Sequence, residues 1–483
     1  MIGWLCLLAA ALGGYGLLEG LGWARWPGPA WVRIGLRGSL GAGLGVGLSS
    51  CAFVLLLWAG LHVSWAAVIG NLTVAALGGL AWGRWSRRTA GDSRASHEPG
   101  APQAWLWLLR AAGIVTLALV VAGWAVGTEA SPHGDWDAFS IWNLRAKFLA
   151  GGQPGWRYAV SPEIGGGQLG AAHPDYPLLL SATVAEVWAL NGDMDPWAPA
   201  LLALLFALLT IGVLVGALAW FREETLGWLA ALLLASSELF GSQVAAQYAD
   251  IPLAFYMLAA VAMLVAASRE QWAPAPLMVA GALAALAGWT KNEGIVFLVL
   301  VFGWTLIRGG VRAVLKLMAG AAPALLVLAT FKLVLAPLTV GLFPATAAEA
   351  LAKIADPGRW IMIARGYARA VWDLSPWWAH PVLLFALWAW VAGFADRQQR
   401  KEGWVLALPA AMLAADFLVY LVTVADLRWH LDTSCNRLWL QVWPTLLFGG
   451  FLIAGTWPAS ADADIPRGPG SGDRAADRGR RRR

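Results

Sequence analysis

The chain has 483 residues, of which 59% are hydrophobic and 13% are charged, and its mean hydropathy is +0.62. This composition excludes an ordinary soluble domain and predicts a protein that crosses a lipid bilayer many times. The net charge of +5 does not indicate nucleic-acid binding, because the arginines from Arg467 onward lie in a Gly-, Pro- and Asp-rich tail that cannot form a core. The 3 cysteines give no disulfide framework.

Apolar runs predict an all-α, polytopic bundle of about thirteen membrane spans. The first run lacks a basic leader, so we expect it to be a retained helix and not a cleaved signal. We divide the chain into a three-span region with a basic linker (1–104), a main transmembrane domain (105–456) and a disordered basic cytoplasmic tail (457–483). The predicted spans lie near 2–22, 38–62, 64–83, 105–127, 196–220, 226–243, 251–268, 275–289, 293–308, 314–336, 378–395, 403–424 and 437–456.

Clusters of Lys and Arg predict which loops face the cytoplasm. All of them fall on one side if the segment 176–190 does not cross the membrane. That segment is short and contains Glu186, so we interpret it as a juxtamembrane helix. The first extracytoplasmic loop is then 128–195, which is too long for a simple connector. The basic groups used for this choice are 84–94, Arg222, Arg269, Arg308 with Arg312 and Lys316, Arg397 with Arg400 and Lys401, and the tail.

Two carboxylates open the long extracytoplasmic loop. The run GDWDAFSIWNLRAKFL (134–149) places Asp135 and Asp137 directly after an apolar span, and Arg145 follows about two helical turns later. Carboxylates at the mouth of a membrane helix are costly unless they are hydrated, paired or functional. We predict that Asp137 is a general base and that Asp135 assists it or binds a divalent cation. The alternative is that either residue caps the following helix.

Two further motifs carry polar groups next to predicted helices. In HPDYPLLL (173–180), two prolines stiffen the backbone around His173 and Asp175. Taken alone, this motif favours a helix start that is capped by an aspartate over a functional role. In AQYADIPLAFY (246–256), Asp250 precedes a proline and also satisfies the rules for a helix start.

A lysine in the turn GWTKNEGIVF (288–297) is a candidate phosphate ligand. Lys291 lies between two short apolar spans, and its alternative role is a surface pair with Glu293. In DLRWHLDTSCNRLWLQVWP (426–444), His430 and Arg437 lie at the outer end of the last span. An arginine that faces a bundle there commonly binds a phosphate or a carboxylate, and the alternative is snorkelling to the interface.

Nucleotide chemistry is not indicated by the sequence. There is no Gly-rich loop that ends in GK[ST] and no GxGxxG after a strand. We therefore do not expect ATP-driven activity or a soluble nucleotide-sugar donor.

The order of these five elements resembles the GT-C superfamily of polytopic glycosyltransferases. The resemblance is to the group of protein O-mannosyltransferases, aminoarabinose transferases and lipopolysaccharide core transferases, and it covers about residues 105–456. The first three spans have no counterpart in the simplest pattern. Asp137 matches the acid that opens the first loop of the family, while Ala138 replaces the second acid. The segment HPDYPLLL resembles the motif K/H-P-P-L-Y, and AQYADIPLAF resembles R-x-x-x-x-D-x-P-L-x-F. The T-K-G motif is resembled by Thr290, Lys291 and Gly294, and the motif of the final span by Arg437 to Pro444.

The resemblance implies an inverting hexosyl- or pentosyltransferase of a bacterial-type inner (plasma) membrane, with its active site on the extracytoplasmic face. The donor would be a sugar on a polyprenyl phosphate, and the acceptor would be a lipid, a glycan or a protein. Whether Asp135 and Asp137 hold a divalent cation is left open by the sequence, and no other cofactor is expected. By position and resemblance, Asp137 and Asp135 are the catalytic candidates, and the donor-phosphate or substrate ligands are Arg145, His173, Asp175, Asp250, Lys291, His430 and Arg437.

Two alternative functions stay open at the level of sequence. One is a transporter or flippase of lipid-linked glycans, and the other is a glycan polymerase or ligase. A transporter is expected to carry charges that reach both membrane faces and often to contain inverted repeats. Because the sequence shows no repeat and its candidate charges fall on one face, an enzyme is favoured. This interpretation predicts that Lys291 and Arg437 face one cavity that also holds Asp137.

Overall fold

The fold is a bundle of α-helices. The computed structural model describes residues 1–22, 30–89, 104–164, 172–337, 343–397 and 399–456. No β-strand occurs in these ranges, and 8 of their helices are long and apolar enough to cross a membrane. The all-α prediction is confirmed, whereas the predicted tail 457–483 and the linker residues 90–103 lie outside the described residues.

The helices follow the predicted apolar runs closely. The first nine are α1 (Ile2–Gly20), α2 (Ala30–Trp58), α3 (Val63–Thr89), α4 (Ala104–Ala130), α5 (Asn143–Ala150), α6 (Leu179–Asn191), α7 (Trp197–Phe221), α8 (Glu224–Ala235) and α9 (Glu238–Ala246). The others are α10 (Asp250–Arg269), α11 (Pro274–Thr290), α12 (Asn292–Thr330), α13 (Ala347–Ala355), α14 (Pro357–Trp372), α15 (Pro381–Ala392), α16 (Ala407–Val422) and α17 (Leu427–Ile453). One-turn π-helices lie at Ala138–Trp142, before α5, and at Phe331–Leu335, after α12.

Helix α12 doubles back on itself. Its 39 residues would extend about 58 Å if they were straight. Yet the Lys332 Nζ just beyond its end donates to the Asn292 Oδ1 at its start, over 2.7 Å. The reversal occurs at Gly310, whose φ of 71° and ψ of −177° are not helical. The helix therefore consists of two antiparallel segments, as the separate predicted spans 293–308 and 314–336 require.

Helix α6 is the segment whose placement decided the predicted orientation. Its 13 residues extend about 20 Å, which is too short to cross a hydrocarbon core of about 30 Å. It is not a surface helix, however, because every residue from Leu179 to Trp188 is buried and it packs against α1, α2 and α3. Asn71 of α3 donates from Nδ2 to the Glu186 Oε2 over 2.5 Å. The juxtamembrane interpretation needs this correction: α6 is an apolar helix enclosed by protein.

The two ends of the bundle differ in chemistry. The loop that follows α4 lies at one end, where it meets the starts of α1, α10, α12 and α17. The contacts that bring these segments together join Met1 to Asn191, Gln153 to Leu57, Asp135 to Ala246, and Asp137 to Arg437. At the opposite end, basic side chains join Arg110 to Glu224, Arg222 to Leu452 and Ala454, Arg269 to Glu402, and Lys316 to Trp272. For these residues, the predicted separation of basic loops from candidate site residues is confirmed.

Candidate active site

A buried carboxylate lies at the centre of the candidate site. Asp250, the first residue of α10, has a side chain that is only 1% exposed. Its Oδ1 accepts hydrogen bonds from the Lys291 Nζ at 3.0 Å and from the Gln441 Nε2 at 2.5 Å. The Arg437 Nη1 lies 3.8 Å from its Oδ2. A buried charge needs such partners, because its removal from water costs on the order of several kcal/mol. The attraction between paired charges offsets a cost of this order.

Arg437 connects Asp250 to the loop that follows α4. Its Nη1 also donates to the Asp137 Oδ2, and its guanidinium carbon lies 5.0 Å from the centre of the Tyr248 ring. The side chains of Arg437 and Asp137 are 16% and 20% exposed, so this pair lies at the edge of the buried network. Asp137, Lys291 and Arg437 therefore meet in one charged network around Asp250, and the expectation that they face a common cavity stays a prediction.

Helix capping does not explain the two central carboxylates. Asp137 precedes the π-helical turn, and its side chain makes no capping hydrogen bond there. The N-cap of α10 is Ala249, and Asp250 directs its oxygens to Lys291 and Gln441. By contrast, the Asp135 Oδ1 accepts from the Trp136 N–H at 2.8 Å, so this carboxylate orders its own turn.

A second chain of hydrogen bonds continues from the same break between α11 and α12. The Asn292 Nδ2 donates to the Asp175 Oδ2 at 2.8 Å. The Lys332 Nζ donates to the Asp175 carbonyl at 2.5 Å and to the Asn292 Oδ1 at 2.7 Å. The loop residue Asp175 is therefore fixed by two segments that flank the Asp250 network, because Asn292 is the neighbour of Lys291 in sequence.

His173 lies between these two groups. Its backbone has a φ of 42°, and its ring stacks on Tyr176 with the centroids 4.5 Å apart. Burial lowers the pKa of His173, while the nearby charges of Asp175 and Asp137 oppose this effect. The imidazole is therefore neutral at pH 7 and can accept as well as donate a hydrogen bond.

Arg145 has a different environment from the one expected of a phosphate ligand. It is fully buried, its Nε donates to the Ala159 carbonyl at 2.8 Å, and its Nη2 donates to the Pro174 carbonyl at 3.3 Å. Burial also lowers the pKa of Arg145, although the Asp175 charge opposes the shift. Two of its nitrogens thus hold the backbone at Ala159 and Pro174, while its Nη1 is buried without a hydrogen-bond partner among the described residues. Its predicted contact with a donor phosphate stays a prediction.

His430 lies two turns before Arg437 on α17. Its ring meets that of Tyr420 with the centroids 4.8 Å apart, and the charge of Glu293 acts on it. Its predicted contact with a donor phosphate stays a prediction.

Four residues of the site were missed by sequence reasoning. Tyr248 and Asn292 gave no signal, since aromatic and amide residues are common at helix ends. Lys332 and Asp416 did give one, because each is an ionisable residue inside an apolar run. Such residues rarely face lipid and usually mark functional interiors. A scan of the predicted spans for single charges would have found both.

A metal site receives no support from the geometry. Within the part of the chain that the structure describes, no three His, Cys, Asp or Glu side chains are placed to hold a metal ion together. Asp135 and Asp137, the predicted cation ligands, are directed to Trp136 and Arg437 respectively.

Comparison of this chain with protein-family models, with curated proteins and with solved structures gives no match.

Proposed function

We propose that this protein is a membrane glycosyltransferase of the GT-C type, which transfers a sugar from a polyprenyl-phosphate donor to a hydroxyl group of a lipid, glycan or protein acceptor. One observation carries the proposal. Four charged side chains from separate segments form a continuous network at one end of an apolar bundle. In spatial order they are Asp137, Arg437, Asp250 and Lys291. Charges in such a setting are expensive to keep unless they serve a function.

The cations of the network suit the departing lipid phosphate. Arg437 presents a planar fork that matches two phosphate oxygens, and Lys291 and Lys332 add point charges beside it. Without substrate, Asp137 occupies one donor of Arg437. A bound phosphate would replace Asp137 as the partner of Arg437 and would leave the carboxylate free.

The freed carboxylate supplies the general base. Asp137 accepts the proton of the acceptor hydroxyl as the hydroxyl oxygen forms a bond to the anomeric carbon of the sugar. The bond between that carbon and the phosphate oxygen breaks, and its electron pair leaves with the polyprenyl phosphate. Attack opposite to the leaving group inverts the anomeric configuration. Arg437 and Lys291 stabilise the negative charge that develops on the phosphate.

The architecture supports a membrane enzyme with an extracytoplasmic site. Besides the 8 long apolar helices, α8 and α9 form a pair bent by 68°, and α12 passes along the bundle twice. Helix α17 has 27 residues, whereas α11 and α15 have 17 and 12, which is shorter than a straight crossing of the hydrocarbon core requires. The number of thirteen spans stays a prediction. The basic residues at the opposite end then face the cytoplasm of a bacterial-type plasma membrane. The three N-terminal helices share one hydrophobic core with residues 105–456, and α2 packs along α7. That they form a region of their own stays a prediction.

Transfer by the purified protein in detergent tests this function. Wild-type protein is expected to move radiolabelled sugar from a polyprenyl-phosphate donor to a mixture of lipid and glycan acceptors. Flipping has no meaning in detergent, so a transporter would leave the donor intact. Recovery of unchanged donor under all acceptor conditions would therefore contradict the proposal.

A further inference from the structure

A second polar group lies beside Lys291 and is joined to the network described above by one ion pair, between the Glu293 Oε1 and the Lys291 Nζ at 2.8 Å. It contains Glu293, Asp416 and His430, which come from α12, α16 and α17. Each has a buried atom without a hydrogen-bond partner among the described residues: Glu293 Oε2, Asp416 Oδ2 and His430 Nδ1. The His430 ring lies against the Tyr420 ring, with the centroids 4.8 Å apart, and Tyr420 follows Asp416 by about one turn of α16. Helix α16 also packs against both α12 and α17. Three helices thus bring unsatisfied polar atoms to one place.

The position of Asp416 is unusual for a structural residue. It is 8% exposed, and it lies six residues before the end of α16, or about 9 Å along the helix. A buried carboxylate oxygen without a partner costs free energy on folding. Neighbouring groups are already satisfied by one another, since the Tyr420 hydroxyl and the Ser434 Oγ are 2.6 Å apart. The unsatisfied atoms are therefore available to a ligand.

The chemistry of this group is complementary to hydroxyls. Ionised carboxylates only accept hydrogen bonds, and a histidine can accept one at its free nitrogen. Two carboxylates repel a phosphate but accept from neighbouring hydroxyl groups of a neutral polyol. On the other side of Lys291, Arg437 offers donors that suit an anion.

We infer that Glu293, Asp416 and His430 form a subsite for the hydroxyl groups of a sugar, next to the phosphate side of the site. The inference rests on the proposed function and deepens it by assigning the ligand chemistry of each side of Lys291. The sugar could belong to the donor or to a glycan acceptor, and the hydroxyl chemistry is the same for both.

Binding of two matched probes tests the subsite. The full chain in lipid nanodiscs is titrated with octyl glycosides of glucose, mannose and galactose, and separately with octyl phosphate, all below their micelle concentrations. Asp416→Asn and Glu293→Gln are expected to weaken glycoside binding roughly tenfold and to leave octyl phosphate unchanged. Arg437→Lys is expected to do the reverse. Asp432→Asn, which removes an exposed charge from the same helix as His430, is the control.

Thermal unfolding separates binding from a structural role. Because Asp416→Asn replaces a desolvated carboxyl group that has a buried, unpartnered oxygen with a neutral amide, its Tm is expected to equal or exceed that of the wild type. If that variant is instead less stable, Glu293→Gln decides the binding test. Failure of all three glycosides to bind the wild type, or equal binding by wild type and Glu293→Gln, would overturn the subsite. If Arg437→Lys bound octyl phosphate as tightly as the wild type, the proposed donor-phosphate site would be contradicted, independently of the sugar subsite.

In the transfer assay, a variant that raises KM for the donor alone assigns the subsite to the donor sugar. One that raises KM for a glycan acceptor alone assigns it to the acceptor. Both results support the subsite, and unchanged KM values for both substrates would count against it.

Discussion

Arg437 is the residue on which the site depends most. It touches both Asp137 and Asp250 and is stacked near the Tyr248 ring, so its position is fixed from several sides. A lysine at this position would keep the charge but could not bridge two carboxylates in a plane.

Arg437→Lys is therefore expected to lower sugar transfer roughly tenfold to a hundredfold, since hydrogen bonds to charged groups are worth about 1.5–3 kcal/mol. The measurement is kcat/KM for the polyprenyl-phosphate donor. Arg428→Lys, an exposed change in the first turns of the same helix, should have no effect. Equal activities of Arg437→Lys and wild type would mean that Arg437 merely reaches toward the interface.

His173 gives the site a dependence on pH. Because burial holds its pKa below the ordinary value in the folded protein, the unfolded chain binds a proton at that residue more readily. Stability from neutral His173 is thus present above about pH 6.5 and is lost as the pH falls through that value.

The Tm difference between wild type and His173→Gln, measured from pH 8 to pH 5.5, isolates this residue from the other histidines. Relative to the variant, the wild type is expected to lose stability below about pH 6.5 and to show a constant difference above pH 7. A difference that does not change with pH would disprove the buried, neutral imidazole.

At the scale of the residue, the sequence predicted the charged members of the candidate site, but it did not predict all of their contacts. Asp137, Asp250, Lys291 and Arg437 were found because ionisable groups stood at the ends of apolar runs. Arg145 is also an ionisable residue in the same loop, yet two of its nitrogens donate to the carbonyls of Ala159 and Pro174. Backbone carbonyls of a loop leave no trace in the sequence, so this difference could not be predicted.

Among the elements, the breaks were harder to predict than the helices. The predicted span 226–243 is divided in the structure into α8 and α9. Ser237 begins α9, where its Oγ accepts from the Phe240 N–H at 3.4 Å and donates to the Leu374 carbonyl at 2.9 Å. A single serine that caps a helix hardly changes the hydropathy averaged over a span, so the pattern did not predict this break. The reversal at Gly310 was easier to predict from the sequence, because the basic group around Arg312 already separated two apolar runs.

Gly310→Ala tests this reversal. The φ and ψ of Gly310 belong to a region that is nearly exclusive to glycine, and no atom lies within 4 Å of an added Cβ. The expected loss is therefore roughly 1–3 kcal/mol of backbone strain, without a steric clash.

Gly303→Ala is the matched control, since Gly303 is helical and an added Cβ is equally uncrowded. It should be neutral or stabilising, because alanine favours helices over glycine by about 1 kcal/mol. The two variants are compared by thermal unfolding. Equal Tm values for both would argue against the turn at Gly310.

For the whole molecule, the sidedness of the bundle links its architecture to its function. The loop after α4 and the candidate site share one end, and the basic side chains of Arg222, Arg269 and Lys316 lie at the other. The proposed function requires the first end to be extracytoplasmic.

Cysteine labelling in right-side-out vesicles measures this orientation. A membrane-impermeant maleimide should label Asp193→Cys, in the exposed loop before α7, and should not label Arg400→Cys until the membrane is permeabilised. Cys6 is the partly exposed native cysteine and is replaced by alanine in both variants. The opposite labelling pattern would place the site in the cytoplasm and would remove the case for a flipped lipid donor.

The central claim is that Asp137 removes the acceptor proton during an inverting sugar transfer. Its most direct test is a single turnover with excess enzyme in detergent, in which release of polyprenyl phosphate and the anomeric configuration of the product are followed together. Wild type should release the lipid phosphate and form the inverted glycoside. Asp137→Asn should be slower by roughly 10²–10⁴-fold while remaining folded, and Asp193→Asn should match the wild type. A retained configuration, or an Asp137→Asn rate equal to that of the wild type, would contradict the account.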